Sequence, residues 1–319
     1  MAIWQRYTPQ NLIRLLRNPE LIRGETRRLR KDAVNTNAYV SRLVNDDTRM
    51  DVMAEDWDNL VILDACRYDL FTARADFGGR TTSKLSPGSE SWEFMQASYV
   101  GRELHDTVYV TSNPHAYKIP DGTFHAVINL LDDDWDEETR TVLPETIVER
   151  TLEAYERYPD KRIITHFMQP HYPFLGEKGK ELDYAGIEMQ LDEDEIKKDP
   201  HPWNALQYRE TTNVSGIVDA YAENLDIVLP HVERLVNELP GKTTITSDHG
   251  NLIGERTYPI PIRTYGHPRG LHKRELLEVP WVEIDSDERR DVKAEPPEEG
   301  DEMADDVIED RLRHLGYAE

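Results

Sequence analysis

Two acids and a histidine stand where short apolar strands are expected to end. Thr243, Thr244, Ile245 and Thr246 form a β-branched run that predicts a buried strand, and it stops abruptly in Ser247, Asp248, His249 and Gly250. Neighbouring strand residues point to opposite faces, so Asp248 and His249 can share one target only if the chain turns, which Gly250 permits. A carboxylate and an imidazole together suit a divalent cation. The same tripeptide also occurs as an ordinary turn whose Asp caps the next helix. What favours the cation is a second strand far upstream, Asn59–Asp64, read NLVILD. Parallel strands that both end in acids would set Asp64 and Asp248 at the carboxyl edge of one sheet, where open α/β folds place their sites.

Other chemistry-bearing residues sit in loops. After Gly78 and Gly79 the chain reads TTSKLSPGSES and is expected to be a loop feeding a helix at 91–100. Ser86, Ser89 and Ser91 are therefore candidate nucleophiles, because backbone N–H groups and the dipole at a helix N-terminus favour an incoming anion. Plain helix capping by Ser89 or Ser91 is the competing reading. His166 lies within an expected strand, 161–167, where a histidine is usually structural. His171 follows on a loop between Pro170 and Pro173, held rigidly, and is the better site candidate.

The elements that must position these residues can be read in order. Helices are expected at 68–76, 139–158 and 212–238, the last with Ile217, Val218, Tyr221, Leu225, Val228 and Val232 at helical spacing. Further strands are expected at 107–112 and 124–130, and a last one at 276–284. The stretch 176–205, rich in Glu, Asp and Lys, reads as a surface insertion. Residues 45–58 read as a polar linker. The acidic segment 285–305 is expected to be disordered and 307–315 to be a short helix. The organisation is then a basic N-terminal arm at 1–55, one α/β domain at 56–285 and an acidic tail at 286–319.

Composition narrows the function. The 319 residues suffice for one large core. Sixty-two acids against 38 bases give a net charge of −24, with 27 Arg to 11 Lys, a halophile-type surface that keeps hydrated in strong salt. Nucleic acid, which wants the opposite sign, is disfavoured as a partner. The single cysteine, Cys66, rules out an internal disulfide or a Cys-rich zinc module. No long apolar window or signal-peptide core occurs, so the chain reads as cytoplasmic. Residues 1–44 run against the overall charge, with nine Arg or Lys and three acids. That arm could lie peripherally on an anionic membrane or wrap onto the protein's own acidic surface. Pro9 and Pro19, which break up a long interfacial helix, favour the second.

Taken in order, ILDACRYD, SPGSES, HFMQPHYPF, TSDHG, YGHP and VPW make the chain similar to the sulfatase-like branch of the alkaline phosphatase superfamily, which includes sulfatases and phosphoglycerol and phosphoethanolamine transferases. The resemblance covers about 59–284. It implies a central, mostly parallel sheet sandwiched between helices, and a metal-dependent hydrolase or transferase acting on a phosphate or sulfate ester, the substrate being compatible with a glycan or a lipid-linked group. By resemblance Asp64, Asp248 and His249 match metal ligands, and Ser91 matches the nucleophile, with Ser89 or Ser86 in reserve. His171 and His267 match histidines near the substrate, and Asp226 is a weaker match to a further acid. The mechanism implied has Ser91 contact the cation, with His171 or His267 orienting the ester or protonating the leaving oxygen. Zinc or manganese suits this set best, and calcium and magnesium are compatible. Sulfatases proper make a formylglycine within C-x-P or C-x-A, whereas Cys66 is followed by Arg67, Tyr68 and Asp69. An unmodified hydroxyl is the nucleophile that remains. A sulfatase acting through an unmodified or differently modified residue, or a catalytically silent binding protein, are the alternatives.

Overall fold

The computed structural model describes residues 17–44, 48–182 and 201–298. In chain order they form α1 (Pro19–Val44), β1 (Asn59–Asp64), α2 (Tyr68–Thr72), β2 (Arg80–Leu85), α3 (Ser91–Ser98), β3 (Leu104–Thr111), β4 (Phe124–Asn129), α4 (Pro144–Arg157) and β5 (Arg162–Pro170). There follow α5 (Glu177–Lys180), α6 (Pro202–Tyr208), α7 (Val214–Glu238), β6 (Thr243–Ser247), β7 (Leu252–Thr257), β8 (Ile262–Gly266), α8 (Arg274–Leu277) and β9 (Glu278–Ile284). Seven strands make one sheet in the order β2-β9-β6-β1-β5-β3-β4. The run β6, β1, β5, β3, β4 is parallel throughout, and β9 is antiparallel to both β6 and β2. The mostly parallel α/β sheet expected from the sequence is therefore present.

Every residue of β1 is buried, which a strand needs helices on both faces to achieve. Alternation sorts its side chains. Val61 and Leu63 join Val108, Val110 and Ile163 under Ile147 and Val148 of α4 and Leu225, Val228 and Val232 of α7. Leu60 and Ile62 join Tyr109 and Ile164 under Phe94 and Met95 of α3 on the other face. The stripe on α7 recurs every three or four residues, so one helix face is apolar along its length. With Asn59 to Leu63 in register against Thr243 to Ser247, the chain emerges from β1 and β6 side by side.

Several expectations are corrected. Residues 80–85, read as part of a loop, form edge strand β2, whose polar side chains are half in water while its backbone pairs with β9. The hairpin β7–β8 is absent from the sequence reading. The end of the supposed surface insertion is core: Trp203 and Leu206 pack with Phe174, Ile217 and Tyr221. The rest of that insertion, 183–200, and the helix expected at 307–315 lie outside the described residues. In the supposed linker, Val52, Met53 and Trp57 are buried, with the Trp57 indole donating to Val52 O at 2.8 Å. Residues 285–298 are ordered along the sheet, Lys293 N donating to Asp160 O and Glu298 N to His125 O. Pro19 opens a 26-residue helix, a position where its missing N–H costs nothing. Its Ala33, Val34, Asn37 and Ala38 are buried against the body, and Asn37 Nδ2 donates to Thr257 Oγ1 and Ile260 O, both at 2.8 Å.

Candidate active site

The carboxyl ends of β1, β5 and β6 converge on one buried polar cluster. Asp64 ends β1, and the turn that follows puts Ala65 at φ 57, a left-handed conformation that a Cβ disfavours. Bonds on both sides hold that turn: Ala65 N donates to Asp248 Oδ1 at 3.0 Å and Tyr221 OH to Ala65 O at 2.5 Å. Just past β6, Asp248 Oδ1 also accepts from His249 N at 2.8 Å. Gly250 is a close approach, since a Cβ there would strike the Glu275 carbonyl oxygen. Asp64, Asp248 and His249 are each fully buried.

His249 Nε2 lies 3.7 Å from Asp64 Oδ1 and 3.5 Å from Asp248 Oδ2. Its Nδ1 sits 2.7 Å from Gly250 O, an acceptor, which makes Nδ1 the donor there and turns Nε2 towards the acids. Ser91 Oγ is 3.2 Å from Asp64 Oδ2 and 3.3 Å from His249 Nε2. Acids separated by 184 positions thus meet around one point, with a hydroxyl beside it.

Sequence reasoning set one residue aside that geometry brings in. His166 on β5 turns its Nε2 to within 3.8 Å of Asp248 Oδ2, and its Nδ1 lies 2.8 Å from Tyr109 OH. Ligand atoms of Asp64, His166 and Asp248 all lie within 4.8 Å of one another. Burial holds His166 down to about 4, so the ring is neutral. The signal was present: β5 continues past His166 towards the sheet edge, but nothing in a single strand says which buried histidine meets an acid from the next-but-one strand. Asn113 was also missed. It follows β3 and donates from Nδ2 to Asp64 Oδ2 at 2.6 Å.

This donor set fits a divalent cation. Asp248 Oδ2 and His166 Nε2 are buried without a hydrogen-bond partner, a costly state for a carboxylate in a low-dielectric interior. Two carboxylates, two imidazoles and a hydroxyl are donors of the kind a divalent cation takes. A buried Asp-His-Asp group that can hold a metal is therefore present.

Around it stands a ring of histidines. His171 lies 5.0 Å from His267 and His267 lies 4.7 Å from His249, centroid to centroid, with His201 5.4 Å from His171. Burial lowers the pKa of all three outer rings, His171 to about 3. His171 Nδ1 donates to Tyr172 O at 2.6 Å, and His267 Nδ1 faces Asn251 Oδ1 at 3.3 Å, so each presents Nε2 as an acceptor.

The remaining candidates fall elsewhere. Ser86 Oγ bonds the Asp248 carbonyl, and Ser89 Oγ donates to Glu93 Oε2 at 2.8 Å. Asp226 sits on the outside of α7, paired with Arg74 at 2.7 Å, and does not reach the cluster. The expected anion cradle at the start of α3 is altered: the Glu90 carboxylate caps Trp92 N and Glu93 N, both at 2.9 Å. Cys66 is buried, and burial drives its thiol far up from its ordinary value, so it is no nucleophile.

No protein-family model matches the chain, and neither does any curated protein. Solved structures do. The phosphoethanolamine transferase EptA of Neisseria meningitidis shares 14% identity over 80% of this chain and 54% of its own, with a TM-score of 0.43. This chain thus spans about half the length of that integral membrane protein. The zinc complex of the periplasmic domain of EptC from Escherichia coli shares 13% over 75% of each chain, TM-score 0.45. An alkaline phosphatase superfamily protein from Vibrio parahaemolyticus shares 12% over 88% of this chain and 75% of its own, TM-score 0.38. At such TM-scores the chemistry of the site rests on its own residues.

Proposed function

We propose that the chain is a metal-dependent hydrolase or transferase that moves a phosphoryl group, or less favourably a sulfuryl group, through Ser91. The observation that carries this reading is the meeting of Ser91 Oγ with Asp64 Oδ2 and His249 Nε2 at 3.2 and 3.3 Å. Asp64, Asp248 and His249, with His166 as a fourth donor, would hold a cation, which would supply charge neutralisation for the Ser91 oxygen and the ester's oxygens. Zinc or manganese suits two imidazoles with carboxylates, and calcium or magnesium suits the oxygen donors alone.

The chain's own groups account for the remaining steps. Ser91 gives up its proton and its Oγ attacks phosphorus. The new O–P bond forms as the ester's O–P bond breaks, and the departing alkoxide takes up the proton that Ser91 gave up. An acceptor alcohol or water then attacks the phosphoserine and restores the hydroxyl. Asn113 holds Asp64 in place through its 2.6 Å bond. His171 and His267 present lone pairs, so in their neutral form they receive the proton of the incoming acceptor instead of donating one to the first leaving group. This inverts the role the sequence resemblance implied for them.

The test is to offer phosphate monoesters, phosphodiesters and sulfate esters in parallel, with and without chelator, to the native chain and to Ser91→Ala. Chelator-sensitive turnover of a phosphoester, lower by at least about 10³-fold in Ser91→Ala, is expected. Full activity in that variant would remove Ser91 from the reaction. No turnover of any ester in the metal-loaded native chain would instead favour a silent binding protein.

A further inference from the structure

Arginines on most of the surface are matched with acids. Arg67, Arg74, Arg102, Arg150 and Arg289 each hold a carboxylate at 2.6 to 2.8 Å. Where α1 meets α6 and the β7–β8 hairpin the matching fails. Arg209, Arg256 and Arg263 are exposed there, and among the described residues none of the three forms an ion pair; Arg263 spends one N–H on the Gly254 carbonyl at 2.8 Å. Arg30 ties the patch together, since its guanidinium donates to Gln207 O at 2.5 Å and to Arg263 O at 3.2 Å. Arg27 lies over the Tyr208 ring at 4.5 Å, and Glu210, 3.6 Å from it, offsets one charge of the five. That concentration of cations stands on a chain whose net charge is −24.

The crowding costs the fold something. Arg256 and Arg263 are direct partners across the hairpin, and like charges set opposite each other are destabilising. Arg209 takes the left-handed position that closes α6, φ 62, where glycine is the usual residue. Burial first, and Arg209 next, hold the Arg30 guanidinium below its ordinary value. An anion relieves the repulsion, and planar guanidinium forks fit the oxygens of a phosphate. A bilayer does not suit the place. Arg27 and Arg30 are in line with the buried Val34 and Asn37 on the packed side of α1, so a membrane that took up the exposed Leu29, Tyr39 and Leu43 would turn away from them.

Position selects the occupant. Along β8 and just past it, Arg263 to His267 is four residues at about 3.3 Å each, or about 13 Å. Along α6, His201 to Arg209 is eight residues at about 1.5 Å each, or about 12 Å. Two separate elements thus carry a histidine of the candidate site at one end and an arginine without an acid at the other. We propose that this arginine patch holds a further phosphate of the substrate, so that the ester attacked by Ser91 belongs to a phosphate-bearing polymer. The link to substrate rests on the function proposed above, whereas anion binding at the patch does not.

Anisotropy of labelled inorganic polyphosphate, titrated with the full Ser91→Ala chain in chelator, reads the patch without turnover. Binding is expected, and Arg209→Glu, Arg256→Glu, Arg263→Glu in that background should weaken it by about tenfold or more. Should that variant fold poorly, Arg256→Gln, Arg263→Gln provides the same test without reversing charge. Arg80→Glu, Arg157→Glu, Arg234→Glu changes the net charge equally on other elements and should weaken binding far less. In the metal-loaded chain with Ser91 restored, kcat/KM for a phosphodiester-linked polymer should exceed that for a short diester, and the patch variant should lose this advantage through KM. Polyphosphate that stays unbound, that binds undiminished to the patch variants, or that is lost equally in the control overturns the proposal. Phosphatidylglycerol vesicles bound in place of polyphosphate overturn it in favour of a lipid surface. Turnover without a polymer advantage overturns the link to substrate, while no turnover of any ester brings down the proposed function and leaves the binding result standing.

Discussion

The two ends of the central sheet both bury charge, and they do so in opposite ways. At the amino ends of β1, β5 and β6, acid meets cation. Asp58, 2% exposed, takes Arg289 Nε at 2.5 Å and Lys242 N at 2.7 Å, and Arg289 reaches on to Asp56 at 2.7 Å. Arg290 stacks over Tyr155 and donates to Lys161 O at 2.9 Å and Asn59 Oδ1 at 2.5 Å. At the carboxyl ends acid meets acid, with His166 and His249 beside them, and Asp248 Oδ2 is left without a hydrogen bond. The first arrangement is complete as a structural lock. The second leaves two buried acids side by side, a place for a positive charge, and the contrast sets a scaffold end against the candidate site.

The sharpest way to break this comparison is to neutralise one acid at each end. Asp248→Asn keeps the Oδ1 acceptor but removes charge, so turnover should fall by about 10³-fold or more. In chelator-treated protein the same change should raise stability by about 1 kcal/mol, because like charges are separated. Asp58→Ala should do the reverse: activity per folded molecule is retained while stability drops by about 2 kcal/mol, since Arg289 and Lys242 N lose their acceptor. Urea denaturation with and without chelator reads both. Equal destabilisation by the two variants would erase the distinction.

A smaller effect sharpens the composition of the site. His166→Gln should weaken metal affinity by about 10- to 100-fold with the fold intact, as loss of one donor or of its orienting group does. Calorimetric titration that finds unchanged affinity would return His166 to a structural role beside Tyr109.

Least in size is a pH effect away from the site. The Arg67 guanidinium beside Asp69 holds its carboxyl below the usual range, against the opposing pull of partial burial. A depressed carboxyl contributes stability above its unfolded pKa of about 3.9, and that contribution is lost as pH falls through the folded value. Solvent screening limits it to about 0.5 kcal/mol. Asp69→Asn should therefore melt lower than native protein at pH 6 to 7 and approach it below pH 3. A difference that grows on acidification contradicts the pairing.

How much could be read without coordinates depended on whether the signal was local. The strands ending in Asp64 and Asp248 announce themselves by apolar runs cut off by an acid, and α7 by its three-and-four spacing. Parallel pairing then follows from fold rules. Strand β2 escaped because RTTSKL is polar and its strand character comes from β9 alongside. Trp203 escaped because an acidic neighbourhood masked the apolar core of α6. Asn113 was missed and His166 set aside for another reason: each acts on an acid that reaches it only through the register of other strands. The order of residues 285–298 rests likewise on carbonyls and side chains donated by distant segments.

Elemental analysis of the divalent metal retained by the purified chain, native against the Asp64→Asn, Asp248→Asn double variant, tests the central claim most directly. After exchange with zinc or manganese the native chain should hold about one equivalent and the double variant none, because deprotonated carboxylates are the charge that binds it. A native chain that takes up no metal, or a double variant that keeps as much, would contradict the account.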